Sequence, residues 1–359
     1  RQQRQVRSSD ILDESTTQSS HREYDALGNI IAETDQQNRK TQYQYDSLNR
    51  LMQSMDPDLQ ETRYQYDDRD KLIALTDPNN GTTRFEYDRN GRMTAEIRPM
   101  GETTRYQYDE VGNRTSVTDA KGQLTSYQYS TANRLQQEQH FAVSDHITPV
   151  KTITYSYDKL GRLTSYDDGN TSASYDYDDL GRLIATSTNY GNFTLSSAYS
   201  YYANGLKQSY TGPDGVSYLY HYDDANRLSA VELPDGQRLS YNSYDWNVPN
   251  RMTLPGGTTT NYSYDALQRV SNIHSKDPID STIMQYAYER SAVGNIEAKR
   301  TEHGDYLYQY DALDRLTEVS NPVLTDESYS YDALGNRKTS EGVIGEWQYD
   351  LNNRLELCR

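Results

Sequence analysis

The sequence predicts an all-β chain: tandem antiparallel hairpins, joined edge to edge in one long, curved or spiralling sheet. Three observations carry this. A Tyr-Asp pair recurs at near-constant spacing, an aromatic residue precedes most of these pairs by two positions, and residues suited to a tight turn follow each pair at once. The tyrosines at the repeating position are Tyr24, Tyr45, Tyr66, Tyr87, Tyr108 and Tyr129, each roughly 21 residues after the last. The series resumes, less evenly, at Tyr157, Tyr177, Tyr201, Tyr222, Tyr244, Tyr264, Tyr288, Tyr310, Tyr331 and Tyr349. A register kept over about sixteen units marks a repeat architecture.

The first element of each unit is a strand. Thr62-Arg63-Tyr64-Gln65-Tyr66 alternates polar and aromatic residues, and positions i and i+2 of a strand face the same side, so the two rings form one patch. A turn follows. Asp25-Ala26-Leu27-Gly28, Asp88-Arg89-Asn90-Gly91 and Asp158-Lys159-Leu160-Gly161 place Asp where it can bond nearby amides and Gly where positive φ is needed. Gly112, Gly181 and Gly335 take the same place in their units, and Asn49, Asn133, Asn226, Asn353, Asp70 and Asp314 stand in for it elsewhere. The second strand opens with Arg-Leu, as at Arg50-Leu51, Arg162-Leu163 and Arg315-Leu316, and ends at a second turn such as Asp77-Pro78-Asn79-Asn80-Gly81 or Pro213-Asp214-Gly215. An isolated hairpin of this kind is marginal in water, so the units must pair with one another.

Composition sets the character of the packing. With 35 Tyr against three Phe and two Trp, and a mean hydropathy of -1.01, a ladder of stacked tyrosines is expected in place of an aliphatic core. The 53 acidic and 36 basic residues give a net charge of −17, which argues against nucleic acid or an anionic membrane surface as a general partner. The longest aliphatic runs are too short to span a bilayer, so no membrane insertion by this segment is expected. A lone cysteine, Cys358, excludes an intrachain disulfide.

Residues 1–20 read as a polar lead-in or a degenerate first repeat, and 21–359 as the repeats, with an enlarged loop near 136–152. The chain starts at Arg1 and stops within a repeat, which suggests a segment of a larger polypeptide.

The unit Tyr-x-Tyr-Asp-x-x-Gly-Arg-Leu, complete at Tyr155 to Leu163 and at Tyr175 to Leu183, resembles the YD repeat of the Rhs family. That family includes bacterial Rhs polymorphic toxins, the C components of insecticidal Tc toxins, and animal teneurins. The resemblance covers about residues 21 to 359. It implies part of a hollow β-shell that encapsulates a C-terminal toxin domain, in a protein secreted or displayed at the cell surface by a bacterial export system. It also implies that the partners are the enclosed toxin or other domains of the same parent protein. The family's core-associated segment with a DPxGL-type motif is not found in this chain, so toxin release is not assigned to it. A surface adhesion or carbohydrate-binding role is the alternative, since exposed tyrosines can stack on sugars.

No chemistry rises from the residues themselves. The histidines His21, His140, His146, His221, His274 and His303 are scattered, the repeating Asp suits turn capping better than calcium, and the repeating Arg has nearby Asp partners. With no P-loop, GxSxG or HExxH pattern, no catalytic residue, metal or cofactor is expected, and the chain reads as a scaffold and not an enzyme.

Overall fold

The computed structural model describes residues 4–11, 17–340 and 345–357, and every element among them is a β-strand. Residues 1–3 and 12–16 of the expected lead-in, and Cys358, lie outside the described residues. The described part of the lead-in is paired: Arg4–Ile11 runs antiparallel to Thr17–Tyr24.

The chain divides into two compact units, residues 1–101 with 260–359, and residues 102–259. Within the first, strands succeed one another from Arg4–Ile11 to Met93–Ile97 and again from Val270–Lys276 to Leu355–Leu357; within the second, from Thr103–Tyr108 to Val248–Thr253. Neighbours in sequence pair antiparallel, as the two-turn repeat requires, except that Gln348–Tyr349 and Leu355–Leu357 form a two-stranded sheet of their own.

One repeat shows the register. Across the YD turn, Arg63 pairs with Thr76, Tyr64 with Leu75 and Gln65 with Ala74, but Tyr66 pairs with Leu72, so Ile73 is an extra residue. The same bulge stands beside Tyr45, Tyr87, Tyr108, Tyr129, Tyr157, Tyr177 and Tyr310. Bulges sharpen twist and bend a strand, so a bulge in each unit bends the sheet at each unit. Across the far turn only three pairs hold: Ala74 with Arg84, Leu75 with Thr83, and Thr76 with Thr82.

One face carries the tyrosines, half-buried, while Arg63 and Gln65 on the other are exposed. No large side chain among the described residues is fully buried. The buried apolar positions are mostly alanines in the middle of the second strand, Ala32, Ala74, Ala95, Ala230 and Ala298. Ala74 lies between the longer Gln65 and Arg84, whose stems can cover a methyl group on an otherwise polar face.

The enlarged loop expected near 136–152 is corrected by the structure. Leu135–Ala142 and Asp145–Tyr157 are paired strands, an extended hairpin with bulges at its tip and Phe141 buried. The added residues lengthen the strands, which lets their backbone groups satisfy one another instead of relying on solvent.

Candidate functional site

The features that recur in every regular repeat meet at the YD turn, and 158–163 shows how. The Asp158 amide donates to the Arg162 carbonyl and the Gly161 amide to the Asp158 carbonyl, both at 3.0 Å. Asp158 Oδ1 accepts the Leu160 and Arg162 amides at 2.9 Å, and Oδ2 receives Arg162 Nε at 2.5 Å. Asp is thus the turn's cap. Burial works against its charge, but the Arg162 amide and guanidinium outweigh it and hold the Asp158 carboxyl below the usual range.

Arg162 then leaves its own repeat. Its Nη1 donates to the Asp178 carbonyl of the next turn at 3.1 Å, and its guanidinium lies over the Tyr177 ring, 4.7 Å from the centroid. Tyr177 closes the circuit: its hydroxyl donates to the Leu163 carbonyl, the residue after Arg162, at 3.0 Å. Leu163 pairs with Tyr157 beside the bulged Thr164 and lies beyond the pairs made with Ser172–Tyr177, so the hydroxyl satisfies a carbonyl where backbone pairing lapses. Arg182 with Tyr201 repeats the circuit in the same unit, as does Arg315 with Tyr331 in the other.

This geometry refines the expected ladder of stacked tyrosines. Ring pairs occur at Tyr199–Tyr210 and Tyr210–Tyr218, with centroids 5.4 and 6.3 Å apart, but in the regular repeats a guanidinium sits over the ring. The contribution of the Arg to the neighbouring repeat was the part missed from sequence. Its signal was the fixed Asp-x-x-x-Arg spacing.

The residues picked out from the sequence fall as follows. Tyr24, Tyr45, Tyr66, Tyr87, Tyr108, Tyr129, Tyr157, Tyr177, Tyr222, Tyr264, Tyr310 and Tyr331 each end the strand that enters a YD turn. Tyr288 does not. Arg290 occupies that place, opposite Ile296, and Tyr288 lies two residues earlier on the same face. Gly28, Gly91, Gly112, Gly161, Gly181 and Gly335 have φ of 93, 76, 99, 89, 83 and 85°, and Asn49, Asp70, Asn133, Asn226, Asp314 and Asn353 are also at positive φ. No group of three or more His, Cys, Asp or Glu among the described residues is placed to hold a metal ion.

In the unit formed by 1–101 and 260–359, a second set of contacts joins residues far apart in sequence. Far turns of the early repeats meet YD turns of the late ones. Arg39 binds Asp314 with both terminal nitrogens, at 2.7 and 3.0 Å, Arg315 reaches Asp58 at 3.2 Å, and Asn79 Nδ2 reaches Asp332 at 3.3 Å. The Met100 amide donates to Asn352 Oδ1 at 3.3 Å. Arg39 keeps the Asp314 carboxyl below its ordinary range.

The other unit holds an opening of about 490 Å³ lined by Tyr202, Asn204, Leu206, His221, Tyr222 and Asp223, among others. It lies where Tyr202 and Leu206 replace the Asp and Arg of a regular turn.

Comparisons with known proteins agree with this geometry. Residues 101–292, more than half of the chain, match the family model described as Teneurin YD-shell, and residues 24–58, 66–99 and 310–343 match that of the RHS repeat. No curated protein matches. Among solved structures, the Tc holotoxin pore of Photorhabdus luminescens matches over 94% of this chain and 22% of its own, at 16% identity and a TM-score of 0.75. TcdB2-TccC3 without its hypervariable C-terminal region matches over 94% of this chain and 22% of its own, at 15% identity and a TM-score of 0.66. TcdB2-TccC3-Cdc42 matches over 95% of this chain and 25% of its own, at 15% identity and a TM-score of 0.61. The chain therefore spans about a quarter or less of the length of these structures, and at such identities the likeness is one of fold.

Proposed function

The chain belongs to the teneurin YD-shell family, and from that premise we propose that it is a structural wall segment of a bacterial Rhs-type toxin. In this reading its repeats form part of a β-shell that encapsulates a C-terminal toxin domain of the same parent protein for delivery. The observation that carries the reading is the fold match to TcdB2-TccC3 over nearly the whole chain. Support comes from the repeat itself: at Arg162, Arg182 and Arg315 one YD turn is fastened to the next by Arg and Tyr, so side chains that could do chemistry are spent there on holding the wall together. The segment is then neither an enzyme nor a cofactor binder. Its place is secreted or at the cell surface, and its partners are the enclosed domain and other domains of the parent.

Protease protection tests this directly. When the segment is expressed within its parent polypeptide, the downstream domain should resist a protease and spare its host; deleting the repeats should abolish both effects. An equally protected and equally harmless downstream domain after deletion would rule the wall out.

The alternative, a surface adhesion or carbohydrate-binding role, has one observation of its own. Tyr190 and Phe193 stack at 5.1 Å between centroids while 45% and 56% exposed, a ring platform open to a sugar. Glycan binding that vanishes in a Tyr190→Ala, Phe193→Ala variant would favour it.

A further inference from the structure

In the regular repeat one arginine serves one tyrosine. Arg50, Arg162, Arg182 and Arg315 each send Nη1 to the first carbonyl of the next YD turn and lay the guanidinium over the tyrosine that precedes that turn. At Arg269 the pattern breaks, because Arg290 stands where that tyrosine would be. Arg290 takes over the tyrosine's bond: its Nη2 donates to the carbonyl of Val270, the residue after Arg269, at 3.4 Å, and its Nη1 to the Gly294 carbonyl at 3.2 Å. Arg269 loses its link. Its Nε donates to Asp265 Oδ2 at 2.6 Å, but its terminal nitrogens bond nothing among the described residues.

Two half-buried arginines therefore line one opening of about 370 Å³, together with Asp265, Ser271 and Tyr288. Asp265 is the only carboxylate on that lining, and it is already engaged by Arg269 and by the Leu267 and Arg269 amides. Arg290 has no carboxylate partner among the described residues, and its Nε is buried without an acceptor. A guanidinium has five N–H donors; Arg269 uses only its Nε, and Arg290 only one from each terminal nitrogen. Donors in excess of acceptors, beside positive charge in excess of negative, are what an oxyanion satisfies.

We propose that this opening is an oxyanion site, in which a phosphate or carboxylate group accepts hydrogen bonds from the terminal nitrogens of Arg269 and Arg290. The net charge of −17 repels anions at long range, so the affinity comes from paired donors at contact distance and not from the general field of the chain. Paired planar donors also make the site one for guanidinium chemistry, which a lysine at either position would not reproduce.

Titration of inorganic phosphate, and separately of acetate, into the full chain at constant ionic strength tests this, with the Arg269 and Gly294 amides followed by NMR. Saturable shifts at both amides are expected, with dissociation constants on the order of millimolar. The anion that binds tighter identifies phosphate or carboxylate as the group the site takes. Arg290→Tyr restores the regular repeat, so it should melt no lower than the parent while binding either anion at least about tenfold more weakly. Arg290→Lys, which keeps the charge and loses the fork, should also bind more weakly than the parent. Arg105→Gln removes an exposed arginine elsewhere and should leave binding unchanged. No saturable shift with either anion, an Arg290→Tyr chain that binds as the parent does, or an equal loss in Arg105→Gln would each overturn the proposal.

Discussion

The YD turn and the far turn of one repeat are both hairpin turns closed by residues at positive φ, yet they are held differently. The Asp178–Arg182 turn is tied back to its neighbour by Arg162 and forward by its own Arg182. At the other end of the same strand, the Asn189–Thr194 turn is closed by backbone bonds and by Asn189 accepting the Gly191 amide. Length follows from this. The length changes visible in the sequence, near 136–152, Tyr190–Asn192 and Asp277–Ser281, fall at far turns, which lack the Arg link that fastens one YD turn to the next. A YD turn one residue longer would carry its Arg away from both the carbonyl and the ring it serves.

Insertion is the most direct way to break this comparison. One glycine added between Leu160 and Gly161 should raise amide exchange by at least about tenfold in the hairpins on both sides, because the Arg134 and Arg162 links fail together. One glycine added between Gly191 and Asn192 should leave the melting temperature within about a degree, since lengthening a loop costs little. Equal sensitivity at the two places would remove the distinction.

Glycine replacement sharpens it. Gly161 and Gly169 have φ of 89 and 85°, so Val at either bears a conformational cost of about 1–2 kcal/mol. A Cβ on Gly169 meets nothing within 4 Å, whereas one on Gly161 would lie 2.5 Å from Arg134 Nη2 and displace the guanidinium that bonds the Asp158 carbonyl. Gly161→Val should therefore destabilise by about 1 kcal/mol more than Gly169→Val, measured by denaturant unfolding. Identical losses would mean that the Arg link contributes nothing.

The repeat was legible in the sequence because its signals are local. Tyr spacing, the Asp that begins most of these turns, and Gly, Asn or Asp at the fourth position all act within a few residues, and they located nearly every strand end. Tyr288 was misplaced because Arg290 stands where a tyrosine was expected, and spacing alone could not choose between two positions on one face. What the sequence hid was contact between repeats and beyond. The Arg39–Asp314 pair joins residues 275 apart, and no pattern along the chain says which far turn meets which YD turn. The extended hairpin at 135–157 was misread because polar residues with a proline resemble a loop, although its backbone groups are paired.

A smaller effect is expected from the tyrosine hydroxyl. Tyr177→Phe keeps the ring under Arg162 but leaves the half-buried Leu163 carbonyl without its donor, at about 1 kcal/mol. Tyr190→Phe, at the exposed far turn, should change stability by less than about 0.5 kcal/mol. The paired measurement separates the hydroxyl's role from that of the ring.

The smallest effect, from acid, sets the two turns of one strand against each other. Burial opposes the charge on Asp178, but the Arg182 amide and guanidinium outweigh it and hold the carboxyl below the ordinary range; the Asn189–Thr194 turn contains no carboxylate. A carboxyl whose pKa is lower in the folded than in the unfolded chain stabilises the fold above the unfolded value, near 3.9, and loses that contribution as pH falls through the folded value. Between neutral pH and about pH 4 nothing should change; below that, protonation weakens the acceptor of the Leu180 and Arg182 amides. Exchange at those two amides, corrected for intrinsic rates, should then rise relative to the Gly191 amide, whose acceptor Asn189 Oδ1 does not titrate. Because the turn is exposed and screened, the change stays local and does not unfold the sheet. Asp178→Asn should show the looser turn already at neutral pH and no further acid response. If the Gly191 amide tracks Leu180 through the titration, the two turns are held by the same forces and the contrast between them fails.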